Sequence, residues 1–219
     1  MPVNVDAYSK LKADLDAREV RLVAVSKLKQ PADIMALYDL GQRDFGENYV
    51  QELVEKQAAL PSDIRWHFIG HLQSNKVKYI APFVHLIHGV DSEKLLREVS
   101  KQAARFGRTI DVLLQVHIAL EESKFGLDAE ELQGILTAHK TGSFPGVRIR
   151  GLMGMASFSS DPNVVTGEFE GLAELYAGQK PQHADFDTLS MGMSGDYMLA
   201  LKAGSNLVRI GSLLFGSRN

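Results

Sequence analysis

The chain has 219 residues, and its 24 basic and 27 acidic side chains give a formal net charge of −3. With 45% hydrophobic and 23% charged residues, it has the composition of a folded globular protein and no electrostatic footprint for nucleic acid or an anionic membrane. It has no cysteine, no apolar leader and no apolar run long enough for a bilayer, so we exclude disulfides and thiolate sites and expect a cytoplasmic protein.

A short β-like run, a turn and a helix-like stretch recur along the chain. Most of the β-like runs are continuous in Val, Ile and Leu, which is typical of strands covered on both faces. The predicted elements begin with a helix at about Asn4–Arg18. The eight predicted strands are Leu22–Ser26, Asp44–Glu47, Trp66–Gly70, Val84–Val90, Asp111–Ile118, Val147–Ala156, Thr188–Gly192 and Leu207–Gly211. The helices predicted between them are Pro31–Gly41, Tyr49–Leu60, Ser92–Phe106, Ala129–His139, Glu168–Ala177 and Tyr197–Ala203.

Eight alternations in a chain of this length predict an α/β protein, a (β/α)₈ TIM barrel with an extra N-terminal helix, in a single domain over residues 1–219. The alternative is an open doubly wound sheet, which needs a glycine-rich loop after its first strand. Residues 26–31 read SKLKQP and contain no glycine. Neither a G-x-G-x-x-G motif nor a P-loop motif occurs, so the barrel is favoured.

Lys27 is the first candidate functional residue, because the active face of a barrel lies at the C-terminal ends of its strands. It shares strand parity with Val23 and Val25. If those valines face the lumen, Lys27 reaches the mouth of an apolar cavity, where desolvation lowers the pKa of an amine and favours a Schiff base with a carbonyl. The alternative is a lysine that extends from the strand end to solvent.

Small residues follow the seventh and eighth predicted strands, where barrels frequently bind phosphate through loop amides and a short helix. Ser194 and Ser212 supply hydroxyls, and Gly195 and Gly211 let the backbone approach an anion closely. Alternatively, these glycines serve only tight turns. Two such loops on consecutive strands favour a phosphate site.

Arg209 lies within the eighth predicted strand, where a charged side chain is costly unless it is paired or bound to a ligand. A structural ion pair with an acidic neighbour such as Glu47 is one explanation. Closure of the barrel brings strand eight beside strand one, so Lys27, Arg209 and the phosphate loops converge on one mouth. A phosphorylated aldehyde fits these groups, and pyridoxal 5′-phosphate (PLP) is the commonest such cofactor.

The histidines do not predict a metal site. His67 and His71 are four residues apart on a strand and loop rather than on a helix, and His85 and His88 have opposite strand parity. A group of methionines is expected to line the barrel or the cavity as adaptable apolar side chains. These are Met153, Met155, Met191 and Met193.

Several long motifs resemble the pyridoxal phosphate homeostasis protein family, and the resemblance extends from about Leu22 to the end of the chain. That family is similar to the barrel domain of fold-type III PLP enzymes, which include bacterial alanine racemase. One departure is His117, where relatives usually carry Asn. The matching segments are 24–27 (AVSK), 45–52 (FGENYVQE), 66–76 (WHFIGHLQSNK), 151–153 (GLM), 189–194 (LSMGMS) and 208–216 (VRIGSLLFG).

The resemblance implies a role for each matching residue. Lys27 would hold PLP as an internal aldimine, Arg209 would approach the pyridine nitrogen, and Asn48 would lie near the ring. The phosphate would be held by Ser194, Gly195, Gly211 and Ser212. The family is known as a PLP carrier or buffer in vitamin B6 and amino-acid homeostasis, so PLP-dependent apoenzymes are candidate partners. We expect a monomer with no nucleic-acid or membrane partner.

The resemblance implies no robust catalytic turnover. An Arg beside the ring nitrogen cannot accept its proton, so the electron sink is weak. Racemases of this fold add a second acid/base from a further domain, and we expect none here, which leaves Lys27 as the only well-placed proton carrier. Two alternatives remain: a weak PLP-dependent amino-acid racemase, and a cofactor-free aldolase that uses Lys27 directly on a sugar phosphate.

Overall fold

The computed structural model describes residues 3–120 and 125–216, which form a closed barrel of eight parallel strands, β1 to β8 in chain order. The barrel predicted from the sequence is confirmed, and β8 pairs with β1 as closure requires. The strands are β1 Arg21–Val25, β2 Asp44–Glu47, β3 Arg65–Phe68, β4 Leu86–Val90, β5 Ile110–Gln115, β6 Val147–Met153, β7 Thr188–Ser190 and β8 Leu207–Ile210. The helices of the described residues are α1 Val5–Ala17, α2 Pro31–Tyr38, α3 Val50–Ala59, α4 Val77–Ile80, α5 Glu93–Arg105, α6 Ala129–Lys140, α7 Pro162–Gln179, α8 Tyr197–Lys202 and α9 Ser212–Phe215.

Four of the longer helices, α1, α5, α6 and α7, begin where the sequence supplies a side-chain cap. The Ser92 hydroxyl accepts a hydrogen bond from the Leu95 N–H at the start of α5, and Asp128 and Glu131 form a reciprocal capping box at the start of α6. The predicted start of α7 at Glu168 is wrong, because the helix begins at Pro162 after the N-cap Asp161. The short helices α4 and α9 were not predicted as elements, since four residues carry too little periodicity.

Most predicted strands extend too far at their C-terminal ends. The predicted strand Asp111–Ile118 ends at Gln115, and Val147–Ala156 ends at Met153. Past the last ladder pair, Met155 lines the cavity at the mouth of the barrel, whereas Val116 and Ala156 pack in the outer core, so the apolar run continues without extending the sheet. The residues that follow the strands therefore form the rim on which a site can be built.

The apolar interior has two parts. A large cluster lies between the helices and the outer barrel wall and includes Phe45, Trp66 and Phe169. A separate cluster fills the lumen and consists of Val23, Leu86, Leu113, Met153 and Leu207, with Met155 packed against it. Because Val23 faces the lumen, residues of the same parity on β1 lead toward the mouth.

The N-terminal end of the barrel is closed by charged side chains. Asp111 accepts hydrogen bonds from Arg148 and Arg150, and Arg150 also pairs with Asp187. Asp44 pairs with Arg65 at the same end. Across residues 3–120 and 125–216, no helix has the length and hydropathy needed to cross a bilayer.

Candidate functional site

A cavity of about 290 Å³ lies at the C-terminal ends of the strands, and every site residue predicted from the sequence lines it. These residues are Lys27, Asn48, Ser194, Gly195, Arg209, Gly211 and Ser212. Met155 and Met193 also line it, and Met153 packs in the barrel lumen, so these three methionines agree with the prediction, whereas Met191 packs in the outer core. Lys29 lines the cavity as well, although the sequence analysis did not select it.

Lys27 lies in a turn directly after β1, and buried side chains hold the backbone on both sides of it. The Ser26 carbonyl accepts a hydrogen bond from Lys56 Nζ at 2.7 Å, and the Ser26 hydroxyl donates to Glu47 Oε1 at 2.6 Å. The Leu28 N–H donates to Glu52 Oε1 at 2.6 Å. Leu28 has φ +61°, an uncommon conformation for a branched residue, so these contacts fix a turn that the chain would rarely adopt unaided.

The centre of this clamp is a buried Lys56 between two carboxylates. Lys56 Nζ lies 2.8 Å from Glu47 Oε1 and 2.6 Å from Glu52 Oε1, and the Lys56 and Glu47 side chains are only 6% and 0% exposed. Burial raises the pKa of Glu47, against the opposing charge of Lys56. Sequence analysis missed Lys56, although a lysine four residues after Glu52 on an otherwise apolar helix face was a signal.

Arg209 is 4% exposed and makes no ion pair with Glu47, which pairs with Lys56 instead. Its Nη1 donates to the carbonyl and hydroxyl of Ser190, and its Nη2 donates to the Gly154 carbonyl at 3.1 Å. Burial lowers the pKa of Arg209 to about 10, so the guanidinium remains protonated at neutral pH. The cavity therefore has a fixed cation in its wall.

The two loops predicted to hold phosphate meet each other. The Ser194 hydroxyl accepts a hydrogen bond from the Gly211 N–H at 3.2 Å, and Asp196 Oδ1 accepts one from the Met193 N–H at 2.6 Å. Helix α9 starts at Ser212, directly after Gly211. The loops after β7 and β8 are thus joined at one side of the cavity.

Asn48 is placed by a close approach between the ends of β2 and β3. A Cβ on Gly70 would lie 2.3 Å from the Asn48 carbonyl oxygen, so only glycine fits there. Asn48 Oδ1 is buried and has no hydrogen-bond partner among the described residues. The wall of the cavity thus presents the unpartnered acceptor of Asn48, the amine of Lys27, the cation of Arg209 and the hydroxyls of Ser194 and Ser212. These groups fit an aldehyde that also carries a hydroxyl and an anionic group.

A second cavity of about 490 Å³ adjoins Asn48 and includes Tyr49, His71, Lys76 and Tyr79 in its wall. Its wall lacks Lys27, Arg209 and both small-residue loops, so it does not contain the residues predicted to bind a phosphorylated aldehyde. We therefore treat it as a separate cavity beside the candidate site.

The histidines cluster more closely than the sequence analysis expected. Ligand atoms of Asp44, His67 and His85 lie within 4.8 Å of one another. Asp44 already accepts hydrogen bonds from Arg65 at 2.7 and 2.6 Å, and from His67 at 2.9 Å. The prediction of no metal site stays a prediction.

Comparison with known proteins identifies relatives over nearly the whole chain. The family model for the alanine racemase N-terminal domain matches residues 6–219. A pyridoxal phosphate homeostasis protein of Vibrio alginolyticus is 38% identical over 217 residues, covering 97% of this chain and 92% of that protein. A protein of the same name from Aquifex aeolicus is 40% identical over 200 residues, covering 90% of this chain and 87% of that protein.

Two solved structures are similar to this chain over nearly its whole length. PipY from Synechococcus elongatus PCC7942 with PLP bound has a TM-score of 0.86 and 34% identity, and the match covers 96% of this chain and 99% of that chain. The structure of PipY without PLP has a TM-score of 0.90 at 35% identity, with the same coverage.

Proposed function

The chain belongs to the pyridoxal phosphate homeostasis proteins, within the alanine racemase N-terminal domain family, and we propose that it binds PLP and serves intracellular PLP and amino-acid homeostasis. The observation that carries the proposal is the convergence of Lys27, Arg209 and the two small-residue loops on one cavity. The PLP bound in PipY, a protein 34% identical to this chain, supports it.

The roles that the family resemblance implies fit the groups in the cavity wall. Lys27 Nζ would hold the aldehyde carbon of PLP as a Schiff base. The phosphate would be held by Ser194, Gly195, Gly211 and Ser212. Arg209 would donate a hydrogen bond to the pyridine nitrogen, and Asn48 Oδ1 would accept one from the ring hydroxyl.

We further propose that the protein holds PLP without robust turnover. A bound PLP supplies an electron sink for carbanions, and that sink is strongest when its ring nitrogen is protonated. Arg209 stays protonated at neutral pH and can only donate. It therefore cannot accept a proton from the pyridine nitrogen, as a carboxylate at this position would. The family model is named for a racemase domain, which keeps weak racemisation as the second candidate. Exchange of the α-hydrogen of an L-amino acid in deuterated water would establish it, and none is expected at high protein concentration.

The deciding experiment is an absorption spectrum of the protein with PLP, followed by borohydride reduction and peptide mapping. We expect the visible band of a PLP Schiff base and a reduced, phosphopyridoxylated peptide that contains Lys27. Lys27→Ala should lose both. A Lys27→Ala protein that keeps the band would refute the assignment, and a protein trapped by borohydride only with a sugar phosphate would favour the aldolase.

We propose that residues 1–219 act as one domain, that the protein is cytoplasmic and monomeric, and that PLP-dependent apoenzymes are its partners. Light scattering with and without PLP tests the monomer. Transfer of PLP from the loaded protein to an apoenzyme, measured by recovery of that enzyme's activity, tests the partners.

A further inference from the structure

A continuous line of hydrogen bonds crosses the barrel lumen from the cavity to the opposite end. The Ser190 hydroxyl, which contacts Arg209, lies 3.2 Å from His88 Nδ1. His88 Nε2 lies 2.9 Å from His67 Nδ1, and His67 Nε2 lies 2.9 Å from Asp44 Oδ1. Ser190, His67 and His88 are buried, so their polar atoms need hydrogen-bond partners within the protein interior.

The two ends of this line fix the direction of every bond in it. Arg209 can only donate at one end, and an ionised Asp44 can only accept at the other. Each neutral imidazole carries one N–H, so His67 donates from Nε2 to Asp44 and accepts at Nδ1. His88 then donates from Nε2 to His67 and accepts at Nδ1 from the Ser190 hydroxyl, which leaves Ser190 Oγ as an acceptor for Arg209.

The surroundings favour these protonation states. Burial lowers the pKa of both His67 and His88. At His67 the hydrogen bond and charge of Asp44 oppose burial without outweighing it, and at His88 the charges of Arg209 and Arg21 act in the same direction as burial. Burial raises the pKa of Asp44, but hydrogen bonds from Arg65 and His67 outweigh it and hold that pKa well below its usual range. Neutral imidazoles between a cation and a carboxylate are thus the stable arrangement.

We propose that His88 and His67 are positioning residues: as Nε2–H tautomers they orient the Ser190 hydroxyl to accept from Arg209 and thereby hold the guanidinium for a ring nitrogen that accepts a hydrogen bond. The inference rests on the proposed function for its ligand, since Arg209 faces PLP only if PLP occupies the cavity. The line itself is a property of the protein alone. His67 and His88 contact no cofactor, and they act through Ser190 and Arg209.

The first test uses the protein without ligand. Nitrogen-15 NMR of labelled histidine distinguishes the two neutral tautomers and the imidazolium, and substitution of His67 or His88 assigns the signals. We expect both residues to be neutral Nε2–H tautomers at neutral pH. A cation at either position, or an Nδ1–H tautomer, overturns the proposal even if PLP binds as proposed.

The second test compares the affinity for PLP with that for 1-deaza-PLP, which replaces the ring nitrogen by carbon. The wild type should prefer PLP by about tenfold, the value of a charge-assisted hydrogen bond. His88→Leu should lose most of this preference, and His88→Asn, whose amide oxygen can accept from Ser190, should recover much of it. Leu86→Val is the matched control in the same lumen.

The outcomes are separable. An unchanged preference in His88→Leu, or an equal loss in both His88 variants and Leu86→Val, overturns the proposal. If the wild type binds neither compound, the proposed function fails while the NMR result still decides the orientation of the line. If His88→Leu does not fold, the proposal is tested by the PLP preference of His88→Asn and by the histidine tautomers that NMR measures in the wild type.

Discussion

At the scale of single residues, the position of Lys27 depends on Lys56, which is distant in sequence and buried beneath the turn. Lys56→Met should leave Glu47 and Glu52 as unpaired neighbours and cost about 3–5 kcal/mol of unfolding free energy. It should also weaken PLP binding, because the turn loses its contact at Ser26. Urea denaturation and titration with PLP measure the two effects.

The matched control for this change is Lys12→Met. Lys12 pairs with Asp16 one helical turn away, but both side chains are exposed, so the loss should stay below about 1 kcal/mol. If Lys56→Met were no more destabilising than Lys12→Met, the buried clamp would not hold the turn. A strongly destabilised variant with unchanged PLP affinity would separate the stabilising role from the positioning role.

Lys27 and Arg209, which face the cavity, could be predicted from the sequence, whereas the side chains that hold them could not. Strand parity and chain closure lead to Lys27 and Arg209, because both rules depend only on local spacing and on the barrel. The contacts of Lys56 with Ser26, and of His88 with Ser190, join residues that are 30 and 102 positions apart. No local pattern specifies such pairs, so they required the structure.

At the scale of elements, β6 contains a bulge opposite β5. The β5–β6 register shifts between the pairs Val112↔Ile149 and Leu113↔Gly151, so Arg150 has no partner in that ladder. Gly151 has φ +147°, and a Cβ there would lie 1.8 Å from the Thr188 carbonyl oxygen. Gly151→Ala should therefore disrupt the β6–β7 ladder and destabilise the protein by several kcal/mol.

Gly134→Ala provides the comparison. Gly134 lies in the exposed face of α6, and a Cβ would meet nothing within 4 Å. Alanine there should stabilise the protein by about 0.5–1 kcal/mol through helix propensity. Thermal unfolding of both variants is the measurement. A Gly151→Ala protein as stable as the wild type would show that the bulge tolerates a side chain.

The order and type of the main elements followed from hydrophobic runs and turn residues, whereas their ends did not. The predicted strand Asp44–Glu47 has the same bounds in the structure, and the predicted apolar face of α5, with Leu95, Leu96 and Val99, is buried. The start of α7 was missed because Val164, Val165 and Gly167 lower helix propensity after Pro162, although Asp161 caps the helix. The Gly151 bulge was also missed, since it reflects packing between strands rather than a local preference.

At the scale of the whole molecule, the barrel separates a charged N-terminal end from a cavity at the other end. Arg21, Asp44, Asp111 and Arg150 lie at the first end, and the lumen line of His67 and His88 joins it to Arg209. In TIM barrels the C-terminal face carries the active site and the N-terminal face serves stability. On the proposal above, we expect the buried neutral histidines to couple stability to binding.

This coupling predicts that acid destabilises the fold. Burial lowers the pKa of His67 and His88, and it lowers that of His85 to about 4, so these three sites bind fewer protons in the folded protein than in the unfolded chain below about pH 6.5. The free energy of unfolding should therefore fall as the pH decreases from about 7.5 to about 5, by about 1.4 kcal/mol at most for each unit of pKa difference at a buried site.

Urea denaturation at both pH values measures this slope. His88→Asn removes one titrating group from the lumen and should flatten the dependence, whereas Leu86→Val changes a lumen side chain that does not titrate and should leave it nearly unchanged. Asp44 adds to the loss only at lower pH, because its pKa in the folded protein lies below that of the unfolded chain. A stability that is constant between about pH 7.5 and 5 would mean that the lumen histidines bind protons as readily in the folded protein as in the unfolded chain, which would contradict the lowered pKa values of these buried groups.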